Sequence, residues 1–407
     1  MKDDKILDVS KDVKWIGVLD KDIVTFDIVM ETEFGTTYNS YFINADKKTI
    51  IETAKEKFKD IYFSKIKQVV DYAAIEYIVL DHTEPDHSGS LKHLLKLAPQ
   101  ATVVGSGNAI RYLQDMVDGP FKSLQVKDGD TLSLGNKTLQ FIAAPNLHWP
   151  DSIYTYLVED KILFTCDSFG AHFCHEAMFD DKVPHWDGAF KYYFDVILKP
   201  YSKFILKAIE KIRPLEISVI CPGHGPILRT HWKKYVDLSE KYAQEFVKET
   251  SCSQKNVLIV YVSSYGYTRE MAEAIAEGVK KESSIQVETV DIEKIDLGEL
   301  DSKLNHSQGI IVGSPTLNQN ILLPIYKLFA IMNPIRERGK LAMSFGSYGW
   351  SGEAVKIIDA TLKNLKLNVV HDGIASKFYP FRKTREMLVE KGHEFARAMI
   401  DQPVINQ

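Results

Sequence analysis

The chain has 407 residues, 45% of them hydrophobic and 26% charged, with a formal net charge of -5 and no block of like charge. That length exceeds one ordinary domain and the apolar share suffices for real cores, so two or three domains are expected. The near-neutral balance excludes an electrostatic footprint for nucleic acid or an anionic membrane, and no apolar run approaches the roughly 20 residues of a membrane span.

The N-terminus, Met1-Lys2-Asp3-Asp4-Lys5, lacks a charged segment followed by an apolar one, so no secretory signal is expected. Cys166, Cys174, Cys221 and Cys252 are scattered without a C-x-x-C pair. A disulfide framework, a zinc ribbon and a rubredoxin-like site are therefore not expected, and a cytoplasmic protein is the simplest reading.

Short strands are predicted at 13–19, 22–26 and 38–43, then a helix from about Thr49 to Val70 with Ile50, Ala54, Phe58 and Ile61 on its apolar face. Tyr77-Ile78-Val79-Leu80 reads as a buried strand and 91–97 as a helix, followed by a strand at Ala101–Val104. The segments 131–134 and 138–142 flank Gly135-Asn136 as a hairpin. Strands at 153–158 and 162–165, a helix at 200–212 and a strand at 217–220 complete an α+β layering of helices on two sheets. A Lys- and Glu-rich helix, 231–249, leads into Thr250–Lys255 as a linker, which sets the domains at 1–251 and 252–407. Beyond it, strands at 257–261, 285–290, 309–313, 340–345 and 367–371 alternate with helices at 268–281, 321–332, 353–365 and 383–399. That is a doubly wound α/β domain.

The first half is organised around Asp81-His82-Thr83-Glu84-Pro85-Asp86-His87-Ser88-Gly89-Ser90, between the strand at 77–80 and the helix at 91–97. Two imidazoles and two carboxylates within the six residues from His82 to His87 are costly to hold without a cation. His148, Asp167 and His224 each follow an apolar strand, where a loop can aim a side chain into a shared cleft. Taken singly, each is an ordinary hydrogen-bonded loop residue; together they point to a metal. Glu84 makes the donor set oxygen-rich, which suits iron better than structural zinc while leaving zinc and manganese open. His172, His175, Tyr192 and Tyr193 read either as a pocket wall that donates protons or as a polar surface loop. Cys166 and Cys221 read as buried, inert thiols.

In the second half, Ser263-Ser264-Tyr265-Gly266-Tyr267-Thr268 joins a strand to a helix start. Its backbone N–H groups and hydroxyls suit a phosphate. Neither a Walker loop nor Gly-x-Gly-x-x-Gly is present. Two later strand-end loops, Ser314-Pro315-Thr316-Leu317-Asn318 and Ser347-Tyr348-Gly349-Trp350, belong at the same end of an open sheet. Trp350 reads as a ring neighbour or as a packing residue.

The block His-x-Glu-x-Asp-His with His148, Asp167 and His224, followed by Ser263-x-Tyr265-Gly266-x-Thr268, resembles the flavodiiron proteins in their minimal two-domain class. The resemblance implies a metallo-β-lactamase-like αββα sandwich followed by a flavodoxin-like domain, covering nearly the whole chain. It implies one iron on His82, Glu84 and His148, and a second on Asp86, His87 and His224, with Asp167 bridging. His87 is the position at which family members differ. The 263–268 loop would hold the FMN phosphate, and the two later loops would border the flavin. Two Fe(II) ions and reduced FMN together carry the four electrons that take O2 to water; two NO becoming N2O need two. O2 and/or NO reduction with an external donor, rubredoxin or reduced deazaflavin, is thus expected, in a homodimer or homotetramer with the flavin of one subunit facing the irons of the next. His172 and Tyr193 are the candidates for catalytic support. Two alternatives are a zinc hydrolase with a flavodoxin regulatory domain and an electron carrier whose metal is only structural. Glu84 speaks against the first, and the number of buried ionisable ligands against the second.

Overall fold

A computed structural model describes residues 5–26, 30–250, 255–334 and 336–401. The chain divides into two compact units, Met1–Val247 and Lys248–Gln407. The expected boundary between residues 251 and 252, with Cys252, lies outside the described residues.

In the first unit, seven strands form one sheet in the order Leu7–Asp8, Val13–Trp15, Tyr41–Ile43, Lys48–Ile51, Ile75–Val79, Thr102–Ser106 and Lys122–Val126. Five more form a second sheet: Thr131–Ser133, Thr138–Ala143, Ile153–Leu157, Ile162–Cys166 and Val219–Pro222. The expected hairpin is present, with Thr131 opposite Gln140 and Gly135 at φ +92° in its turn. Trp15, Tyr41, Val79 and Val104 from the first sheet meet Phe141, Ile153, Phe164 and Cys221 from the second in one core. Helices Lys59–Val69, Leu91–Leu97 and Gly107–Met116 cover the outer face of the first sheet. Asp187–Tyr193, Ser202–Ile212 and Trp232–Thr250 cover the second. The layering is the expected αββα sandwich.

The helix expected from Thr49 begins ten residues late, at Lys59, after a single turn at Glu56–Phe58. Residues 48–51 are instead a strand, antiparallel to Tyr41–Ile43 and parallel to Ile75–Val79. Thr49, Ile50 and Ile51 are all buried, and a β-branched run covered on both faces suits a central strand better than a helix. The strands expected at 13–19 and 38–43 are each broken: Val18–Asp20 leaves the main sheet and pairs with Thr36–Tyr38.

The second unit has a parallel sheet in the order Ile285–Asp291, Lys255–Tyr261, Gly309–Gly313, Leu341–Tyr348 and then Asn368–Val369. Ile374–Lys377 continues that last edge along Tyr348. This is the doubly wound order of the flavodoxin-like folds. Two elements were not expected: the short edge strand Ile374–Lys377 and the helix Leu297–His306. The helix is capped by Asp296, which accepts from the backbone N–H of Glu299 at 2.8 Å, and it buries Leu300 and Leu304. Asp296 with Glu299 is a legible helix start, obscured by Gly298 in the first turn.

Candidate metal centre and flavin site

Strand Ile75–Val79 delivers the motif to the carboxyl edge of the first sheet. Pro85 opens a one-turn helix, Pro85–Ser88, that lifts Asp86 and His87. Ser88 Oγ donates to the Thr83 carbonyl at 2.7 Å, and the Thr53 N–H donates to the His87 carbonyl at 2.9 Å, so the turn is pinned at both ends. Asp167 follows a register shift at the end of Ile162–Cys166, and His224 follows Val219–Pro222. Asn39 holds the His224 loop: its Nδ2 donates to the carbonyls of Pro222 at 2.8 Å and Gly225 at 3.0 Å. Gly223 is required there, because a Cβ would lie 2.6 Å from His87 Cε1.

All seven expected residues come together. One donor atom each from His82, Glu84, His148 and Asp167 lie within 4.8 Å of one another, as do those from Asp86, His87 and His224. His148 Nε2 is 2.9 Å from Glu84 Oε2, and His224 Nε2 is 3.0 Å from Asp86 Oδ2. Asp167 reaches both groups: its Oδ2 is 3.7 Å from His82 Nε2 and 3.6 Å from His148 Nε2, and its Oδ1 is 3.2 Å from His87 Nε2.

The imidazoles are aimed by partners on their other nitrogen. His82 Nδ1 lies 3.2 Å from both carboxylate oxygens of Asp151, which also accepts from the Thr83 N–H at 2.8 Å and hydroxyl at 2.7 Å. His224 Nδ1 donates to the Thr37 carbonyl at 2.6 Å. In both cases Nε2 faces the acids. Asp151 and Thr37 were not anticipated; an acid three residues after His148 was the available signal for the first.

The electrostatics describe a site built for positive charge. Burial alone would push His82 down, yet Asp151, Glu84 and Asp167 together lift it to about 10. Burial raises Glu84, and His148 with His82 outweighs it to bring the carboxyl to about 2. Asp167, also raised by burial, is held well below the carboxylate range by His87, His82 and His148. Both carboxylate oxygens of Asp86 and Oδ2 of Asp167 are buried without a hydrogen bond. Two such carboxylates, with Glu84, beside imidazoles that offer Nε2 fit a pair of divalent cations.

Of the four polar residues after Asp167, two enter the site. Tyr193 Oη donates to Asp167 Oδ1 at 3.0 Å, and His172 packs edge-on against Tyr193 and His224 with centroids at 4.8 and 5.2 Å. Burial, with His224 beside it, lowers His172 to about 3, so its ring is neutral. His175 is instead turned to accept from the Ala177 N–H, and Tyr192 is exposed. Cys221 is a buried thiol as expected. Cys166 is buried too, but its Sγ lies 3.6 Å from His87 Nδ1, a polar neighbour that its apolar sequence surroundings concealed.

In the second unit, Lys255–Tyr261 runs into the turn that starts helix Tyr267–Val279. Gly266 is its N-cap at φ +85°, a conformation open to glycine, and of the first N–H groups that of Arg269 donates to Ser263 Oγ at 3.3 Å. Thr268 Oγ1 and Ser347 Oγ are 2.9 Å apart, and the Thr316 N–H donates to the Ser347 carbonyl at 2.8 Å. The three expected loops are therefore bonded together at the carboxyl ends of the parallel strands. Tyr265 and Trp350 are 77% and 78% exposed, which excludes the packing role for Trp350. Hydroxyls, the N–H groups of a helix start and open aromatic faces fit a phosphate-bearing planar ligand. Tyr379, not anticipated, packs edge-on against Tyr267.

The family model described as ODP family beta lactamase matches residues 36–225, and that described as flavodoxin matches 259–392. The chain is 36% identical over 397 residues to the type A flavoprotein fprA of Rhodobacter capsulatus, covering 97% of this chain and 90% of the relative. It is 38% identical to the flavo-diiron protein FprA2 of Clostridium acetobutylicum, with 94% and 97% covered. Among solved structures it is similar to the rubredoxin oxygen:oxidoreductase of Desulfovibrio gigas, at 28% identity and a TM-score of 0.68, covering 97% of this chain and 99% of that one. A β-lactamase-like unit whose acids and imidazoles converge between two sheets, followed by a flavodoxin unit, places this chain in the flavodiiron, or type A flavoprotein, family.

Proposed function

We propose that the chain reduces O2 to water and/or NO to N2O, with electrons from an external donor passing through FMN to two irons. The observation that carries this reading is the convergence of three carboxylates and four imidazoles in a chain that also carries a segment of flavodoxin type. One iron is assigned to His82, Glu84 and His148, and the other to Asp86, His87 and His224, with Asp167 shared. The FMN phosphate is assigned to 263–268, and the ring to Ser314–Asn318 and Ser347–Trp350. When bound, the iron pair and the flavin supply two electrons each, and four electrons with four protons turn O2 into two waters; two of each turn two NO into N2O and water.

The chain's own groups hold that arrangement. Tyr193 fixes Asp167 through its hydroxyl, Asp151 fixes His82, and the neutral His172 with Tyr193 walls the cluster and excludes bulk water. His172 Nε2, buried and without a hydrogen bond, is assigned to relay a proton toward substrate, the neutral ring taking one at Nδ1 from Thr36 Oγ1, 3.0 Å away, as Nε2 releases its own.

The structural neighbour from Desulfovibrio gigas is titled for rubredoxin and oxygen, which supports a rubredoxin-like donor; reduced deazaflavin is the other donor to assay. We assign the working form to a homodimer or a dimer of dimers, in the cytoplasm; among the described residues no helix is long and apolar enough to cross a membrane. The hydrolase alternative is set aside, because Glu84 and the flavodoxin unit have no use in it.

The test is to reduce the full chain anaerobically, add O2 or NO, and follow the flavin band with gas consumption and products. Rapid reoxidation to water or N2O with little hydrogen peroxide is expected. Thioester or phosphoester cleavage without gas consumption would overturn the reading.

A further inference from the structure

His82 and His224 share one arrangement: Nε2 faces the acids while Nδ1 is taken by an oxygen from outside the cluster. His87 repeats it. Its Nε2 lies 3.2 Å from Asp167 Oδ1 and 3.4 Å from Asp86 Oδ2, and its Nδ1 lies 3.2 Å from Glu52 Oε2. Glu52 is outside the motif and belongs to none of the groups assigned above. We infer that Glu52 is the positioning residue that makes His87 a metal ligand, and that it also fixes the turn carrying His82.

The placement of Glu52 is specific. It ends the central strand Lys48–Ile51 with φ +59°, left-handed for a residue with a full side chain, and it is 2% exposed. Its backbone N–H donates to the Val79 carbonyl at 2.8 Å, and its own carbonyl accepts from Ser40 Oγ at 2.8 Å and Tyr62 Oη at 3.2 Å. Those bonds hold the residue where one carboxylate does two things. Oε1 accepts from the backbone N–H groups of Asp81 and, at 3.3 Å, His82. Oε2, buried and without another hydrogen-bonding partner among the described residues, is left for His87. An imidazole whose Nδ1–H is held by a carboxylate keeps its Nε2 lone pair for a metal and cannot turn away from it. Cys166 Sγ, 3.6 Å from the same Nδ1, is the competing partner, but a thiol sulfur is a weak acceptor beside a carboxylate.

The inference rests on the two-metal reading. The test uses the full chain, stripped of metal and titrated with Co(II), with visible absorption and bound-metal analysis as readouts. Wild type is expected to take two ions. Glu52→Gln keeps the size but cannot serve both the N–H groups and His87, and it is expected to weaken the second ion about 10- to 100-fold. Cys166→Ala is expected to leave both ions within about twofold, and Glu52→Gln made in a His87→Ala chain to add no further loss. Glu52→Gln with unchanged affinity, the same loss in the His87→Ala background, or an equal loss from Cys166→Ala would each overturn the inference. A wild type that binds fewer than two ions overturns both this and the two-metal reading. Should Glu52→Gln fail to fold, diffraction from metal-loaded wild type decides. His87 Nε2 on the metal with Nδ1 against Glu52 is the expected result, and a ring turned away with solvent in its place overturns it.

Discussion

Asp86 Oδ2 lies 3.0 Å from His224 Nε2, and the two residues come from different sheets of the sandwich. Asp86 rides on the turn after Ile75–Val79, and His224 follows Val219–Pro222. A cation at this point joins the sheets at their edge, so metal binding and folding of the first unit are linked. An ion that binds only the folded state adds about 2.7 kcal/mol when its free concentration is a hundred times its dissociation constant. Chelation is therefore expected to lower the melting transition of the first unit and leave that of the flavodoxin unit in place. Differential scanning calorimetry on the full chain, before and after chelation, checks this.

Asp151 is 0% exposed and holds His82 Nδ1 together with both donors of Thr83. Asp151→Asn keeps the shape but puts an N–H group where an acceptor was needed. The expected result is metal affinity or turnover reduced about 10- to 100-fold, with the fold retained. Bound-iron analysis beside far-UV circular dichroism separates the two effects.

Trp350 contributes almost nothing to folding, being 78% exposed. Trp350→Ala is expected to change stability by less than about 0.5 kcal/mol. Losing the aromatic contact proposed for it with the flavin ring, worth about 0.5–1.5 kcal/mol, should raise the FMN dissociation constant roughly 2- to 10-fold. Fluorescence titration of the FMN-free chain reads this directly.

Glu337 is buried between two cations: its Oε1 takes Arg336 Nε at 2.5 Å, and its Oε2 is 2.7 Å from Lys340 Nζ. Glu337→Leu leaves Arg336 with Asp301 and Lys340 with only the neutral Leu304 carbonyl, at an expected cost of about 3 kcal/mol to the second unit in urea unfolding. Burial lowers Lys340 below its ordinary value, only partly offset by Glu337. Between that folded pKa and the unfolded one near 10.4, the unfolded chain holds the extra proton, so this group makes stability rise with pH. Lys340→Met is expected to flatten that rise.

The residues assigned to the metals were legible because chemistry concentrates them. His82, Glu84, Asp86 and His87 sit on one turn, and His148, Asp167 and His224 each end an apolar strand. Their supports were not. Glu52 lies at the end of the strand Lys48–Ile51, which read as helix because Ile50, Ala54, Phe58 and Ile61 recur at nearly helical spacing. Only the neighbouring strands, by pairing along both edges of Lys48–Ile51, decide otherwise. Asn39 and Thr37 act through contacts to the distant Pro222–Gly225 loop, which no local pattern announces. In the second unit, alternation of strand and helix gave the fold, while Leu297–His306 was hidden by the glycine in its first turn.

The central claim is that seven named residues hold two iron ions. Diffraction from crystals of the as-purified chain, with anomalous maps on both sides of the iron and zinc edges, tests it most directly. The account predicts two iron peaks about 3.5–4 Å apart, with Asp167 between them, His82, Glu84 and His148 on one, and Asp86, His87 and His224 on the other. A single peak, or peaks that appear at the zinc edge and not at the iron edge, would contradict it.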